Sequence, residues 1–270
     1  MNIISLGAGV QSSCMSLMFA EGELAPMPDF AIFADTHDEP RVVYDWLDWL
    51  EGQLPFPVVR VTAGSLSKAA TTQRKSKKTG NIYLTPNLPI YYKKRDSDQH
   101  TLGRRHCTRQ FKIDPINKWL RKLRKENGSP HIMKYIGISY DEVLRMKPAQ
   151  EPWATHSWPL VDLRMTRGHC FEWMDAHGYP APPRSACVYC PFKSNGEWSE
   201  MKANAPEDFH KAVTFERELQ QAHIGATAHG GIVPFLHKSL VPISDADFPT
   251  ASSMGQIDAF QNECEGMCGV

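Results

Sequence analysis

The sequence has no run of about 18 apolar residues, so no segment reads as a transmembrane helix and no membrane association is expected. Met1-Asn2-Ile3-Ile4-Ser5 has no basic n-region and no cleavage site. No signal peptide is therefore expected, and the expected compartment is cytoplasmic. There is no net charge: 30 Lys and Arg balance 30 Asp and Glu, which on its face argues against a nucleic-acid binder. There is no Gly-Lys-Ser/Thr, hence no Walker loop, and Gly7-x-Gly9 lacks the third glycine of the dinucleotide fingerprint. Nor is the cysteine count even. Seven cysteines in a leaderless chain disfavour a disulfide framework and point to metal or redox chemistry. What is present is 270 residues, 41% apolar and 22% charged. That suffices for one large domain, or one domain with a substantial appendage.

Asn2–Leu6 reads as a buried strand, 7–13 as a small-residue loop, and 12–21 as the helix that follows. Residues 30–34 and 57–61 read as further strands, with an amphipathic helix at 41–53 between them. This alternation predicts a parallel α/β sheet with flanking helices. From 68 to 106 the periodicity is lost, and the stretch reads as a long basic loop or lid. Asp114-Pro115 reads as the N-cap and first residue of a helix carrying Ile116, Trp119, Leu120 and Leu123. A strand is expected at 133–138, and helices at 170–177 and 206–223. The expected division is a nucleotide-binding domain over 1–165 and a Cys-bearing region over 166–270 with a mobile tail at 262–270.

A glycine-bearing turn between a strand and a helix directs backbone N–H groups and the positive helix end at one spot, a geometry that binds phosphate. Gly7, Ala8 and Gly9 form such a turn, and Ser12 and Ser13 add hydroxyls. Asp35-Thr36-His37-Asp38-Glu39 stands at the end of the second strand, where ligands of open α/β sheets bind. Asp35, Asp38 or Glu39 there suit a magnesium ion or ribose hydroxyls.

Ser5-Leu6-Gly7-Ala8-Gly9-Val10-Gln11-Ser12-Ser13 resembles the pyrophosphate loop of the ATP pyrophosphatases, in the variant of phosphoadenosine phosphosulfate (PAPS) reductase-like proteins. Asp35-Thr36 is similar to the Asp-Thr of that family. So is Cys107-Thr108-Arg109-Gln110-Phe111-Lys112-Ile113-Asp114-Pro115 to its Cys-Thr-x-x-x-Lys-x-x-Pro segment. Gly137-Ile138-Ser139-Tyr140-Asp141-Glu142 with Arg145 is similar to a fourth element, and all four occur in the family's order. The resemblance implies an adenine nucleotide alpha hydrolase-like, Rossmann-like fold with a Cys-rich C-terminal appendage. It implies ATP with Mg2+, or PAPS, on Ser5, Gly7, Ala8, Gly9, Gln11, Ser12, Ser13, Asp35, Thr36, Arg109, Lys112 and Gly137. Asp141 and Arg145 fall in the catalytic role. The sequence departs from the family's loop at Val10 and Gln11, which stand where Lys and Asp are usual. Phosphate charge must then be met by backbone N–H groups and more distant basic residues.

Cys187-Val188-Tyr189-Cys190 is a spacing at which two thiolates bind one metal or two irons of a cluster. The expected set is a 4Fe-4S cluster on Cys107, Cys170, Cys187 and Cys190; Cys107 enters it through the family segment. A three-cysteine cluster without Cys170 and a zinc site are the alternatives. Cys264 and Cys268 in the tail suit a persulfide carrier or a resolving pair, and Glu263-Cys264 is similar to the tail of PAPS reductases.

Residues 68–125 hold seventeen Lys and Arg against three Asp, so the zero net charge conceals a basic region. Such a region suits tRNA or DNA, with Tyr83, Tyr91 and Tyr92 for stacking. The favoured reading is ATP-dependent sulfur transfer to nucleic acid: adenylation with pyrophosphate release, then thiolation. The alternative is reduction of PAPS or adenylyl sulfate to sulfite. A further alternative is a non-catalytic nucleic-acid or redox-sensing module. A sulfur-donor protein, a thioredoxin-like reductant and a second copy of the chain are the other partners this reading admits.

Overall fold

The computed structural model describes residues 1–226 and 231–249. In chain order its elements are β1 (Asn2–Leu6), α1 (Val10–Ala20), β2 (Phe30–Asp35), α2 (Arg41–Glu51), β3 (Val58–Thr62), α3 (Leu66–Thr71), β4 (Arg74–Lys75), β5 (Ile82–Tyr83), β6 (Tyr91–Lys94), β7 (His100–Leu102), α4 (Asp114–Glu126), β8 (Ile132–Ile136), β9 (Ala154–Ser157), α5 (Pro159–Asp162), α6 (Arg167–Ala176), α7 (Asn195–Asn204), α8 (Pro206–Ile224) and β10 (Ile232–Phe235). A π-helical turn, Arg109–Ile113, leads into α4, and a 3₁₀ segment, Tyr140–Arg145, follows β8.

The chain divides into two units. The first is Met1–Ala63 with Thr108–Ala186; the second is Gly64–Cys107 with the described residues from Cys187 onward. This differs from the linear division expected at residue 165. Residues 166–186, Cys170 among them, pack with the first unit, and the basic stretch belongs to the second.

In the first unit five strands form an all-parallel sheet in the order β3-β2-β1-β8-β9. Its strands alternate between two cores. Ile4, Leu6, Ala31 and Phe33 join Leu17, Trp46, Leu47 and Met174 of the helices on one side. Ile3, Ile32, Val61 and Ile132 join Ile116 and Leu120 of α4 on the other. Strands buried on both faces read as unbroken apolar runs, which is why β1 and β2 are legible in the sequence. The order reverses between β1 and β8, and that reversal opens a crevice at the carboxyl ends of the strands.

The second unit is built differently. α7 and α8 pack together, and α8 packs on β10. β10, β6 and β7 form an antiparallel sheet, and β4 pairs with β5. The expected structureless lid is therefore organised. Its strands are two to four residues long and largely polar, so no apolar alternation announces them. Glu216 of α8 is buried and accepts the backbone N–H groups of Leu236 and Ile243, each at 2.8 Å, fixing the irregular segment after β10. Burial pushes the Glu216 carboxyl above its ordinary value. Tyr189 stacks on Phe215 of α8 with ring centroids 4.1 Å apart.

α4 also begins otherwise than expected. Asp114 does not cap it, because the chain enters through the π turn already helical. The sequence pattern announces none of α3, β9, α5, α7 and β10.

Candidate functional site

The loop from Gly7 to Ser13 lies at the carboxyl end of β1, beside the reversal of strand order. Ala8 has φ +55°, a left-handed conformation in which a small side chain is tolerated at some cost. The Gly7 N–H donates to Ser12 Oγ at 3.2 Å, and that hydroxyl donates to the Gly9 carbonyl at 3.3 Å. Ser13 Oγ accepts the Trp46 indole N–H at 2.9 Å. Both hydroxyls expected to face phosphate thus have protein partners that shape the turn. The helix end itself is left without a side-chain cap, and no acidic residue occupies its first turn. Its N–H groups and dipole favour an anion.

The end of β8 closes on this loop. A Cβ at Gly137 would stand 2.7 Å from the backbone N and Cα of Ser12, a separation that only glycine permits. The chain beyond it returns side chains to the loop. Gln11 Nε2 donates to Glu142 Oε2 at 3.2 Å and to Ser139 Oγ at 3.4 Å. Glu142 Oε1 accepts from Arg145 Nη1. Arg145 Nη2 is buried and has no hydrogen-bond partner. A buried guanidinium N–H left unmatched is costly unless a ligand oxygen meets it. Gln11, at the departure from the family pattern, therefore acts as a tie between the loop and the segment that carries Arg145.

Asp35 ends β2 with its Oδ1 accepting the His37 N–H at 2.7 Å and the Tyr44 hydroxyl at 2.8 Å. Burial, reinforced by Asp35, pushes the Tyr44 hydroxyl well above its ordinary value, so it stays a proton donor. Thr36 is buried. Glu39, a candidate for metal or ribose, instead meets Lys112 Nζ at 3.2 Å in a buried ion pair. Lys112 belongs to the π turn, a feature frequent at functional sites.

Other expected residues go elsewhere. Ser5 and Arg109 line a separate cavity, and Arg109 pairs with Asp114 at 3.8 Å. Asp141 Oδ1 accepts the Arg167 N–H at 3.1 Å, which ties the 3₁₀ segment to the start of α6. The sequence reading missed Tyr44, which sits on the outer side of an amphipathic helix and gives no signal there, and Glu142 as a partner of Gln11 and Arg145.

The cysteines do not assemble as expected. Cys170 is fully buried in the first unit's core together with Cys14. A hydrogen bond to Cys170, then burial, raise the Cys14 thiol far above its usual range. These are core thiols in character. Cys107, Cys187 and Cys190 belong to the second unit. Cys187 and Cys190 form a turn in which the Cys190 N–H donates to the Cys187 carbonyl at 3.0 Å. Among the described residues no group of three or more His, Cys, Asp or Glu is placed to hold a metal ion. Cys264 and Cys268 lie outside the described residues. His169, beside Cys170 in sequence, is occupied in the capping box of α6 with Thr166.

The fold and loop define an α/β protein with an open parallel sheet, flanking helices and an anion-receptive glycine loop at the point of strand reversal. No family model matches the sequence, and no curated protein matches it. Among solved structures the chain is similar to phosphoadenylyl-sulfate (PAPS) reductase from Candida auris in its phosphate complex. The identity is 12% and the TM-score 0.39, over 67% of this chain and 74% of that one. At that distance the likeness adds nothing to what the side chains say.

Proposed function

We propose that the chain is a nucleotide-dependent enzyme that holds the phosphates of an adenine nucleotide on Gly7–Ser13 and Arg145. The observation that carries this reading is the unmatched, buried Nη2 of Arg145, on a segment tied through Glu142 and Gln11 to an uncapped helix N-terminus. An uncapped helix end and an unmatched guanidinium N–H, whose charge Glu142 partly offsets, give the loop two preorganised donors for a phosphoryl group. Gln11 and Glu142 hold the guanidinium in place, and the Tyr44–Asp35 hydrogen bond keeps the neighbouring strand end rigid.

The favoured reaction is attack of an acceptor oxygen on the α-phosphate of ATP with release of pyrophosphate, after which an incoming sulfur displaces AMP. The acceptor class is nucleic acid, tRNA or DNA. Exposed Arg74, Lys75, Lys77, Lys78, Lys94 and Arg95 of the second unit support it. The sulfur would come from a donor protein or from Cys264 and Cys268. No step is assigned to a cluster or to magnesium. The second reading is reduction of PAPS or adenylyl sulfate. It is favoured by Asp35, whose Oδ1 already serves two protein donors and is the less suited to a metal-bound triphosphate.

Pyrophosphate release from ATP with and without tRNA or DNA, and sulfite release from PAPS, separate the two. Arg145→Ala should weaken nucleotide binding about 10- to 100-fold, the range for a lost charge-assisted hydrogen bond, while the melting temperature holds. Unchanged affinity in Arg145→Ala would remove the proposed phosphate site. Iron content after anaerobic purification, with Cys187→Ser as control, tests the cysteine set independently.

A further inference from the structure

The sheet of the first unit changes character as it passes from β1 to β9. Ile3, Lys134 and His156 stand side by side across β1, β8 and β9, and all three are buried. The first belongs to an apolar core; the other two line a cavity of about 200 Å³. A lysine at a core position of a parallel sheet is costly to desolvate unless it is well paired. Lys134 is not. Its Nζ donates to Asn117 Oδ1 at 2.7 Å, but the carboxylate of Glu151 stands off at 3.9 Å. Glu151 is further divided: Oε1 accepts from Asn117 Nδ2 at 2.5 Å and faces Arg121 at 3.9 Å. Burial lowers the Lys134 amine from its ordinary value, as expected of a charge short of compensation.

We propose that this cavity is a binding site for a small tetrahedral dianion, phosphate or sulfate, held by Lys134, Lys147, Arg109 and Arg121 and distinct from the Gly7–Ser13 loop. Four cations and two acids, Asp114 and Glu151, line it, an excess of two positive charges that one dianion neutralises. The charges are graded by depth. Arg109 and Arg121 are 73% and 57% exposed at the rim, whereas Lys134 is 5% exposed at the floor. Such a gradient draws an anion inward and strips its water as it descends. Lys147 lies on a loop fixed from below, because His156 Nδ1 donates to the Lys147 carbonyl at 2.9 Å. That bond places a proton on Nδ1, and burial lowers the proton affinity of the ring. The volume accommodates an oxyanion with a few waters and is too small for a nucleotide. None of Gly7–Ser13, Asp35 or Arg145 lines it.

The test titrates the full-length protein with inorganic phosphate and, separately, with sulfate, following thermal stability and ³¹P line width. Saturable stabilisation by either anion, retained in Arg145→Ala, is the expected result. Phosphate alone acting would identify a ligand that uses its P–OH; both acting would identify a site that reads charge and shape. Lys134→Met should weaken the response about 10- to 100-fold, as for loss of a buried charged partner. Should Lys134→Met fail to fold, the rim variant R121Q/K147Q carries the same expectation at about 10-fold. Three results would overturn the site: no saturable response at millimolar anion, binding in Lys134→Met and R121Q/K147Q within about twofold of wild type, or a response abolished by Arg145→Ala alone. The last would place the anion on the glycine loop and leave the nucleotide reading intact.

Discussion

In the first unit, apolar side chains cover both faces of a parallel sheet, and no single group carries the structure. In the second, short antiparallel strands gather around α8, and one buried carboxylate, Glu216, receives two backbone N–H groups that would otherwise be orphaned. The contrast separates two ways of making a rigid platform. Distributed packing tolerates the loss of a methylene and gives a fixed frame for the glycine loop. A point anchor concentrates the same task in one ionisable side chain. Its failure is abrupt, and it responds to pH.

The largest expected effect tests the anchor. Glu216→Ala leaves two buried N–H groups unmet, at about 1–3 kcal/mol each. Hydrogen exchange should show protection lost over Ile232–Phe235 and at Ile243 while β1 and β2 keep theirs. Equal loss in both units would dissolve the contrast. Next comes Gly137→Ala, which forces a Cβ against Ser12 and should cost about 1–3 kcal/mol, as overpacking does. Here the damage belongs in the first unit and should lower nucleotide affinity, read by denaturant unfolding and by equilibrium binding.

A smaller effect separates the units by pH. Burial lowers both His156 in the first unit and His237 in the second. Each contributes stability that is present above its unfolded value of 6.5 and is lost as pH falls toward its folded value. Glu216 is shifted upward, so its contribution is full below 4.5 and is lost as pH rises through its folded value. The second unit therefore carries opposing terms. Its exchange protection should vary less between pH 6.5 and 4.5 than that of the strands around His156. A steeper acid loss in the second unit would contradict this. The smallest change is Tyr44→Phe, which removes one hydrogen bond to Asp35 at about 0.5–1.5 kcal/mol and should leave the second unit's unfolding untouched.

The contrast also explains what could be read from the sequence. β1, β2 and α2 are legible because burial on both faces, or along one helical stripe, imposes a pattern on consecutive residues. β4 to β7 are not, because strands of two to four polar residues are specified by backbone pairing and by their neighbours on α8. At the site, the glycine loop and Arg145 are legible as local motifs in order, and the structure brings them together through Gln11 and Glu142. The destination of Cys170 is not legible: whether a thiol on α6 faces a metal or Cys14 is decided by helix packing, which sequence spacing does not encode. Ser5 and Arg109 illustrate the same limit, since both sit next to motif residues yet line another cavity.

The discontinuity of the two units bears on how the chain is made. β1 is synthesised well before the strand that completes its second edge, β8, which begins only at Ile132. Until then a three-stranded piece, β3-β2-β1, carries an open edge while the ribosome emits the first half of the other unit. The glycine loop, although made before either, has no ceiling until Gly137 arrives and no guanidinium until Arg145. A nascent chain shorter than that should bind no nucleotide, however well its first three strands have formed.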